Sequence, residues 1–175
     1  SMWCDRLKVP FVTTTLDIQP GRGESTEMAC RRQRYDWLFK NCDNYAVAVG
    51  HHTQDQLETI LMRIGRGTSL QGLSGMVQHT TLKHGRIIRP FLYLNKADIV
   101  QYAHENNVPY KTDSSNLTTE YTRNRVRQNI IPAIEQEYPA VYDHITAMSS
   151  TLVEDHNCLN KQAEQLFISM YDCKK

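Results

Sequence analysis

Two carboxylates three positions apart, and three arginines within five positions, are the residues in this chain best suited to chemistry. Asp55 and Glu58 fall in the run Gly50-His51-His52-Thr53-Gln54-Asp55-Gln56-Leu57-Glu58-Thr59. Acids at this spacing share one side of a helix. They can hold Mg2+ for a nucleotide, or position and deprotonate a nucleophile. They can equally be acids favoured by the positive end of a helix dipole, and residue type alone leaves both readings open. His51 and His52 read as polar packing at a strand end; a zinc site from them with Asp55 and Glu58 matches no strong zinc spacing. Arg123, Arg125 and Arg127 follow Tyr121. If helical, Arg123 and Arg127 share a face, and guanidinium forks suit phosphates and an RNA backbone; the alternative is a solvated face paired to Glu120. The glycines between Gly67 and Gly75 match neither common phosphate-loop pattern. They read as a phosphate cradle or as a helix cap and turn.

These groups need elements to hold them. Tyr45 to Val49 reads as a short buried strand ending at Gly50, where a tight turn is expected. Residues 53–66 read as a helix, with Leu57, Ile60, Leu61 and Ile64 forming the core face. That places Asp55 and Glu58 opposite the apolar stripe, toward solvent or the crevice at the strand's carboxyl end. Further strands are expected at 10–18 and 86–91, and further helices at about 26–41 and 95–107. A polar loop is expected at 112–119, then helix to about 138 with Pro132 as a kink or break. Beyond Pro139 the stripe Val141, Ile145, Met148, Leu152, Leu159, Leu166 and Met170 predicts helix, expected to break or to dock on another subunit or domain. The expected class is α/β: a partial parallel sheet over residues 2–110, then an all-helical linker region over 111–175.

Bulk composition narrows the field. Of 175 residues, 40% are apolar and 22% charged, and 20 basic against 19 acidic residues leave a net charge of +1. This excludes a strongly basic nucleic-acid protein but not a local basic patch. No apolar run reaches the roughly 18–20 residues that span a bilayer, and no secretory signal opens the chain. The five cysteines are scattered, with no C-x-x-C pair, so free thiols in a cytoplasmic protein are expected.

Taken together, the motifs resemble tRNA(Ile)-lysidine synthase, within the PP-loop ATP pyrophosphatase group. That family's G-H-H-x-D-D-Q-x-E-T-x-L-x-R-x-x-R-G-[ST] block is similar to Gly50 to Thr68. Its G-L-x-G-M step appears as Gly72 to Met76, its R-P-[FL]-L step as Arg89 to Leu92, and its D-x-S-N loop as Asp113 to Asn116. Its Y-x-R-N-x-[IV]-R…I-I-P block appears as Tyr121 to Pro132, and its E-x-x-x-R-x-x-R-Y helix is matched by Glu27, Arg31, Arg34 and Tyr35. Two departures stand out. Gln54 replaces the first of two adjacent acids, and the family's S-G-G-x-D-S phosphate loop occurs nowhere in the sequence. The chain is therefore expected to be a central fragment, lacking that loop and the C-terminal tRNA-binding domains, and inactive alone.

The resemblance implies a PP-loop sheet of the adenine nucleotide alpha hydrolase-like type. It also implies an ATP-dependent ligase that adenylates the wobble cytidine of a CAU-anticodon tRNA(Ile) and attaches free L-lysine, with Mg2+ assisting. By the same resemblance Asp55, Glu58 and Arg123 are catalytic, with Asp55 also a Mg2+ ligand. Gly50, His51, His52 and Arg66 would serve ATP, and Arg63, Asn124, Arg125 and Arg127 would serve tRNA. No membrane partner is expected, and the C-terminal helices suggest a homodimer. The alternative is a degenerate tRNA- or protein-binding module without catalysis. A PP-loop tRNA thiolase is disfavoured by the missing cysteine pairs.

Overall fold

The computed structural model describes residues 2–41, 45–111 and 122–172. The chain forms two compact units: Ser1–Val47 with Thr81–Arg86, and Ala48–Thr80 with Ile87–Lys175. This division follows contacts, whereas the expected 2–110 and 111–175 division follows motif order.

In the first unit, α1 spans Met2–Leu7 and α2 spans Thr26–Lys40. Ser25 caps α2, its hydroxyl accepting from Met28 N–H at 3.3 Å, which satisfies one of the orphan amides of a helix start. Residues 9–20, where a strand is expected at 10–18, form no regular element. Their β-branched composition suits a strand, but strand propensity is realised against packed neighbours, and Phe11 and Val12 lie exposed. Among the described residues of this unit only Ala29 and Val47 are buried. Tyr35 and Phe39 stack with ring centroids 5.8 Å apart. Gly85 lies so close to Phe39 that a Cβ there would sit 2.4 Å from the ring.

Three strands form a mixed sheet: β1 (Ala46–Ala48), β2 (His79–Leu82) and β3 (Gly85–Ile88), in the order β1-β3-β2. The expected parallel sheet is thus corrected by a hairpin, β2 to β3, turned at Lys83 and His84. β3 stops at Ile88, short of the expected residue 91. Arg89-Pro90 leads into a turn, where proline has no amide to donate to a ladder.

The second unit is helical beyond the strands. It holds α3 (Thr53–Arg66), α4 (Leu70–Leu73), α5 (Lys96–Glu105) and α6 (Thr122–Arg125). A π-helical segment, Val126–Ile130, runs from α6 into α7 (Ile131–Glu137), and α8 spans Val141–Asp172. Leu57, Val126, Ile131 and Val141 form the core, with Leu61, Ile134 and Ile145 packed against them. Pro132 lies in the first turn of α7 and starts that helix instead of breaking one. α8 runs 32 residues without interruption, where a break was one expectation. Its first half packs on α3 and α4, burying Val141 and Ser149, while Leu159, Leu166 and Met170 stay exposed. Among the described residues no helix is long and apolar enough to cross a membrane. The polar loop expected at 112–119, with Tyr121, lies outside the described residues.

Candidate active site

The site is built on the first turns of α3. Thr53 ties the helix start to the segment after β3: its hydroxyl donates to Leu94 O at 2.9 Å and its N–H to the same carbonyl at 3.1 Å. One turn in, Asp55 Oδ2 accepts from His52 N–H at 3.1 Å, a carboxylate capping the helix it belongs to. Leu57 and Ile60 bury the apolar face as expected, each 1% exposed, whereas Ile64, expected on the same face, is exposed near the end of the helix.

Asp55 and Glu58 depart from expectation. They do not face solvent: Asp55 is 8% exposed and Glu58 fully buried. Buried carboxylates need partners, and α6 with the π-helical segment supplies two guanidiniums. Arg123 Nε donates to Glu58 Oε2 at 2.6 Å and its Nη2 to Asp55 Oδ1 at 3.2 Å. Arg127 Nε donates to Glu58 Oε1 at 2.5 Å, and its Nη2 reaches Asp55 Oδ1 at 3.3 Å and Glu58 Oε2 at 3.1 Å. The result is a neutral quartet of two acids and two cations. Burial, the largest single influence, would lower the Arg127 pKa, but its bond to Glu58 and the attraction of Glu58 and Asp55 together outweigh it and hold the pKa above the ordinary value. The segment carrying these arginines widens to π-helix at Val126–Ile130, a local form frequent at functional sites.

His52 sits beside the quartet, its Nε2 3.5 Å from Asp55 Oδ2. Burial pushes the His52 pKa below 6.5, while Asp55 pulls it the other way, so the ring is neutral near pH 7. Gln54, at the family's missing acid, is half-buried near Tyr142. The Tyr142 hydroxyl donates to Glu135, and burial first, then that bond, raise its pKa to about 12. An open cleft is lined by Gln54 of α3 and by Lys96, Val100 and Gln101 of α5.

The other expected residues are placed as follows. Gly50 is exposed, with nothing near a hypothetical Cβ, so no crowding demands glycine there. His51 is half-buried. Arg66 is exposed in the last turn of α3 and makes no ion pair among the described residues. Arg125 is exposed and bonds Thr122 Oγ1 at 3.0 Å, and Asn124 is half-buried. Arg63 turns inward, its Nη1 donating to Gly72 O at 2.9 Å and Gly75 O at 2.7 Å.

The glycine-punctuated loop is accordingly a turn. Its amides donate internally, Leu73 to Ser69 O, Ser74 to Leu70 O and Gly75 to Gly72 O. Met76 N–H donates to Gln56 Oε1 at 2.7 Å. Arg63 and Gln56 thus hold the loop against α3 through its carbonyls and the Met76 amide.

Sequence reasoning passed over Gln56, which is fully buried. Its Nε2 donates to Ser74 O at 3.3 Å, Met76 O at 2.9 Å and Ser149 Oγ at 2.8 Å. Ser149 Oγ in turn donates to Ser74 O at 2.5 Å. One amide thus joins α3, the loop after α4 and α8. The signal was available: Gln56, Ile60 and Arg63 share one helical face, and that face packs on the loop.

Asp55 could take a resident Mg2+ only by giving up a guanidinium. Its oxygens already accept from two guanidiniums and a backbone amide. Among the described residues no group of three or more His, Cys, Asp or Glu side chains is placed to hold a metal. Hard dications take several oxygen ligands, not a carboxylate shared by two cations.

A PP-loop domain model matches residues 1–134. The chain belongs to the PP-loop family. Curated relatives sharpen the likeness of this PP-loop chain. It is 39% identical over 171 residues to the "Bifunctional protein TilS/HprT" of Listeria monocytogenes serotype 4b, covering 94% of this chain and 26% of the relative. It is 41% identical over 130 residues to the tRNA(Ile)-lysidine synthase of Bacillus subtilis, covering 74% and 28%. Against the tRNA(Ile)-lysidine synthase of Francisella tularensis subsp. novicida it is 35% identical over 161 residues, covering 90% and 40%. The chain spans about a quarter to two-fifths of the length of these relatives.

Proposed function

We infer that this PP-loop chain carries the carboxylate–arginine part of a ligase that modifies tRNA(Ile) with lysine, working in the cytoplasm where ATP, tRNA and free lysine meet. In that reaction the C2 oxygen of the wobble cytidine attacks the α-phosphorus of ATP, and pyrophosphate leaves. The ε-amine of lysine then attacks C2, loses a proton, and AMP departs with the former C2 oxygen.

The neutral quartet is the observation that supports this reading. A free lysine ammonium is a cation of the kind Asp55 and Glu58 already hold. Side-chain exposure separates the two acids, 12% for Asp55 and 0% for Glu58. Asp55 is therefore the group that receives the amine and takes its proton, and Glu58 the anchor for Arg123 and Arg127. A cation entering at Asp55 loosens a guanidinium's hold there, leaving Arg123 to stabilise negative charge on the departing phosphate. Gly50, His51, His52 and Arg66 remain assigned to ATP, and Asn124 and Arg125 to tRNA. Arg63 and Arg127 were assigned to tRNA too, but their forks already hold loop carbonyls and Glu58. No step is routed through Mg2+.

The exposed apolar residues of the distal half of α8, Leu159, Leu166, Phe167 and Met170 among them, support the proposal of a homodimer through these helices. A concentration-independent monomeric mass counts against it.

Calorimetric titration of the 175-residue chain with L-lysine, and with norleucine as the same stem lacking the amine, tests the site. Lysine is expected to bind and norleucine not, with Glu58→Gln abolishing binding. Equal affinity for the two overturns the reading. Because the sequence holds no Ser-Gly-Gly, the chain by itself is expected to transfer no lysine to tRNA; ATP-dependent transfer by the pure chain refutes that part.

A further inference from the structure

We propose that Arg31, Arg34 and Tyr35, on the exposed side of α2, form a docking stripe for the phosphodiester backbone of RNA. This rests on the tRNA-acting reading above and adds a surface in the first unit, on a helix that reading leaves without a role.

Three observations carry it. The Arg31 guanidinium lies 5.3 Å from the Tyr35 ring centroid and that of Arg34 lies 5.6 Å from it. Both arginines are exposed. Neither pairs with a carboxylate among the described residues, although α2 carries Glu27 and Asp36. The adjacent Arg32 behaves differently: Glu24 holds it in a fork at 2.9 and 3.0 Å. Among the described residues Glu24 thus neutralises Arg32, and no acid neutralises its neighbours.

An aromatic ring orients a guanidinium through its face without using the N–H donors. Each fork is held in place without a hydrogen bond to any described residue, which lowers the ordering cost of binding a phosphate. Two like charges gathered on one ring repel, and a polyanion relieves that repulsion. α2 also lacks a core-facing stripe, burying only Ala29, so its charges are not a by-product of packing. Elsewhere two of the arginines expected to serve tRNA are engaged: Arg63 holds loop carbonyls and Arg127 holds acids. Phosphate contacts need uncommitted forks, and α2 supplies them.

The test is anisotropy of a labelled tRNA transcript with a CAU anticodon, titrated with the 175-residue protein between about 50 and 200 mM salt. Each phosphate neutralised contributes roughly 0.7–0.9 to the slope of log K against log salt, so R31Q/R34Q is expected to flatten the slope by about 1.5. R31K/R34K, which keeps both charges, is expected to retain the wild-type slope. An R31Q/R34Q slope equal to wild type overturns the proposal and leaves the stripe as a solvated face or a contact for an acidic protein. Loss of slope in R31K/R34K as well also overturns it, since the helix and not its charge would then be responsible. Absence of any tRNA binding by the unsubstituted chain overturns the tRNA-acting reading itself, an outcome distinct from an unchanged slope.

Discussion

Arg123 and Arg127 each close on two carboxylates within 3.3 Å, whereas Arg31 and Arg34 close on none among the described residues and lie over the ring of Tyr35. Both sets read alike in the sequence, as basic residues at helical spacing. The difference lies in what the rest of the chain brings to them. Glu58 sits 65 residues before Arg123 and is fully buried, so its charge cannot be left unpaired. Among the described residues no acid takes up Arg31 or Arg34. One pair of cations is thus part of the fold, and the other is a charge the fold tolerates. A protein can place the same residue type where it must stay and where it is available, and only the partner tells which.

Breaking the first pairing should have the largest effect. Glu58→Gln removes one anion from a site where two guanidiniums converge, leaving them inadequately paired. The expected cost is about 3 kcal/mol of unfolding free energy, read from urea unfolding at pH 7. Lysine affinity should vanish in whatever fraction stays folded. A loss under about 0.5 kcal/mol would mean the quartet is no more than a surface arrangement.

Much of this was legible in the sequence, though unevenly. The bounds of α3, 53 to 66, followed from the spacing of Leu57, Ile60 and Leu61, because a core-facing helix writes its period into its apolar residues. α2 and α5 carry no such core-facing stripe and were readable from their flanking residues instead, Ser25 before the first and Asn95 and Asn106 around the second. The hairpin strand β2 was not. His79-Thr80-Thr81-Leu82 has little apolar content, and an exposed strand carries almost no pattern. The candidate acids were identifiable, but their burial was not. A helix covered on two sides shows only one apolar stripe when its second face meets arginines from a distant segment. Arg63 and Gln56 misled for a related reason: long polar side chains that satisfy loop carbonyls look like solvent-facing ones until the loop is in place.

The second test compares the quartet with the buried network behind it. Gln56→Leu fills similar space but deprives Met76 N–H of its acceptor and Ser149 of a bond. Each orphaned group costs about 1–3 kcal/mol, so a loss of about 2 kcal/mol is expected, smaller than for Glu58→Gln because no charge is stranded. Hydrogen exchange should quicken in the loop 72–76 and the first half of α8, and not in α2. Faster exchange in α2 would mean that the two units share this network.

His52 gives a smaller effect with a defined sign. Its pKa in the folded chain lies below 6.5, chiefly through burial. In the unfolded chain it takes a proton near 6.5, while the folded ring resists. The stability it contributes is whole above about pH 6.5 and declines as pH falls toward its folded value. Wild type should therefore lose stability more steeply than His52→Gln between about pH 7 and 5.5. Parallel curves would mean that another group dominates that range.

The smallest expected effect sharpens the comparison most. R31Q/R34Q removes two charges from the first unit, and neither takes part in an ion pair among the described residues. Removing Tyr35's two cations forfeits a pair of exposed ring contacts worth about 0.5–1 kcal/mol each. It also relieves the repulsion between two like charges on one ring, which offsets part of that loss. The net change should be within about 0.5 kcal/mol, with the sign moving toward stabilisation as salt is lowered, since screening hides the repulsion. A destabilisation near that of Glu58→Gln would place these arginines in the fold after all and erase the distinction drawn between the two pairs. A near-zero change alongside a flattened salt slope for RNA would mean that the charge on α2 serves binding and not the stability of the helix that carries it.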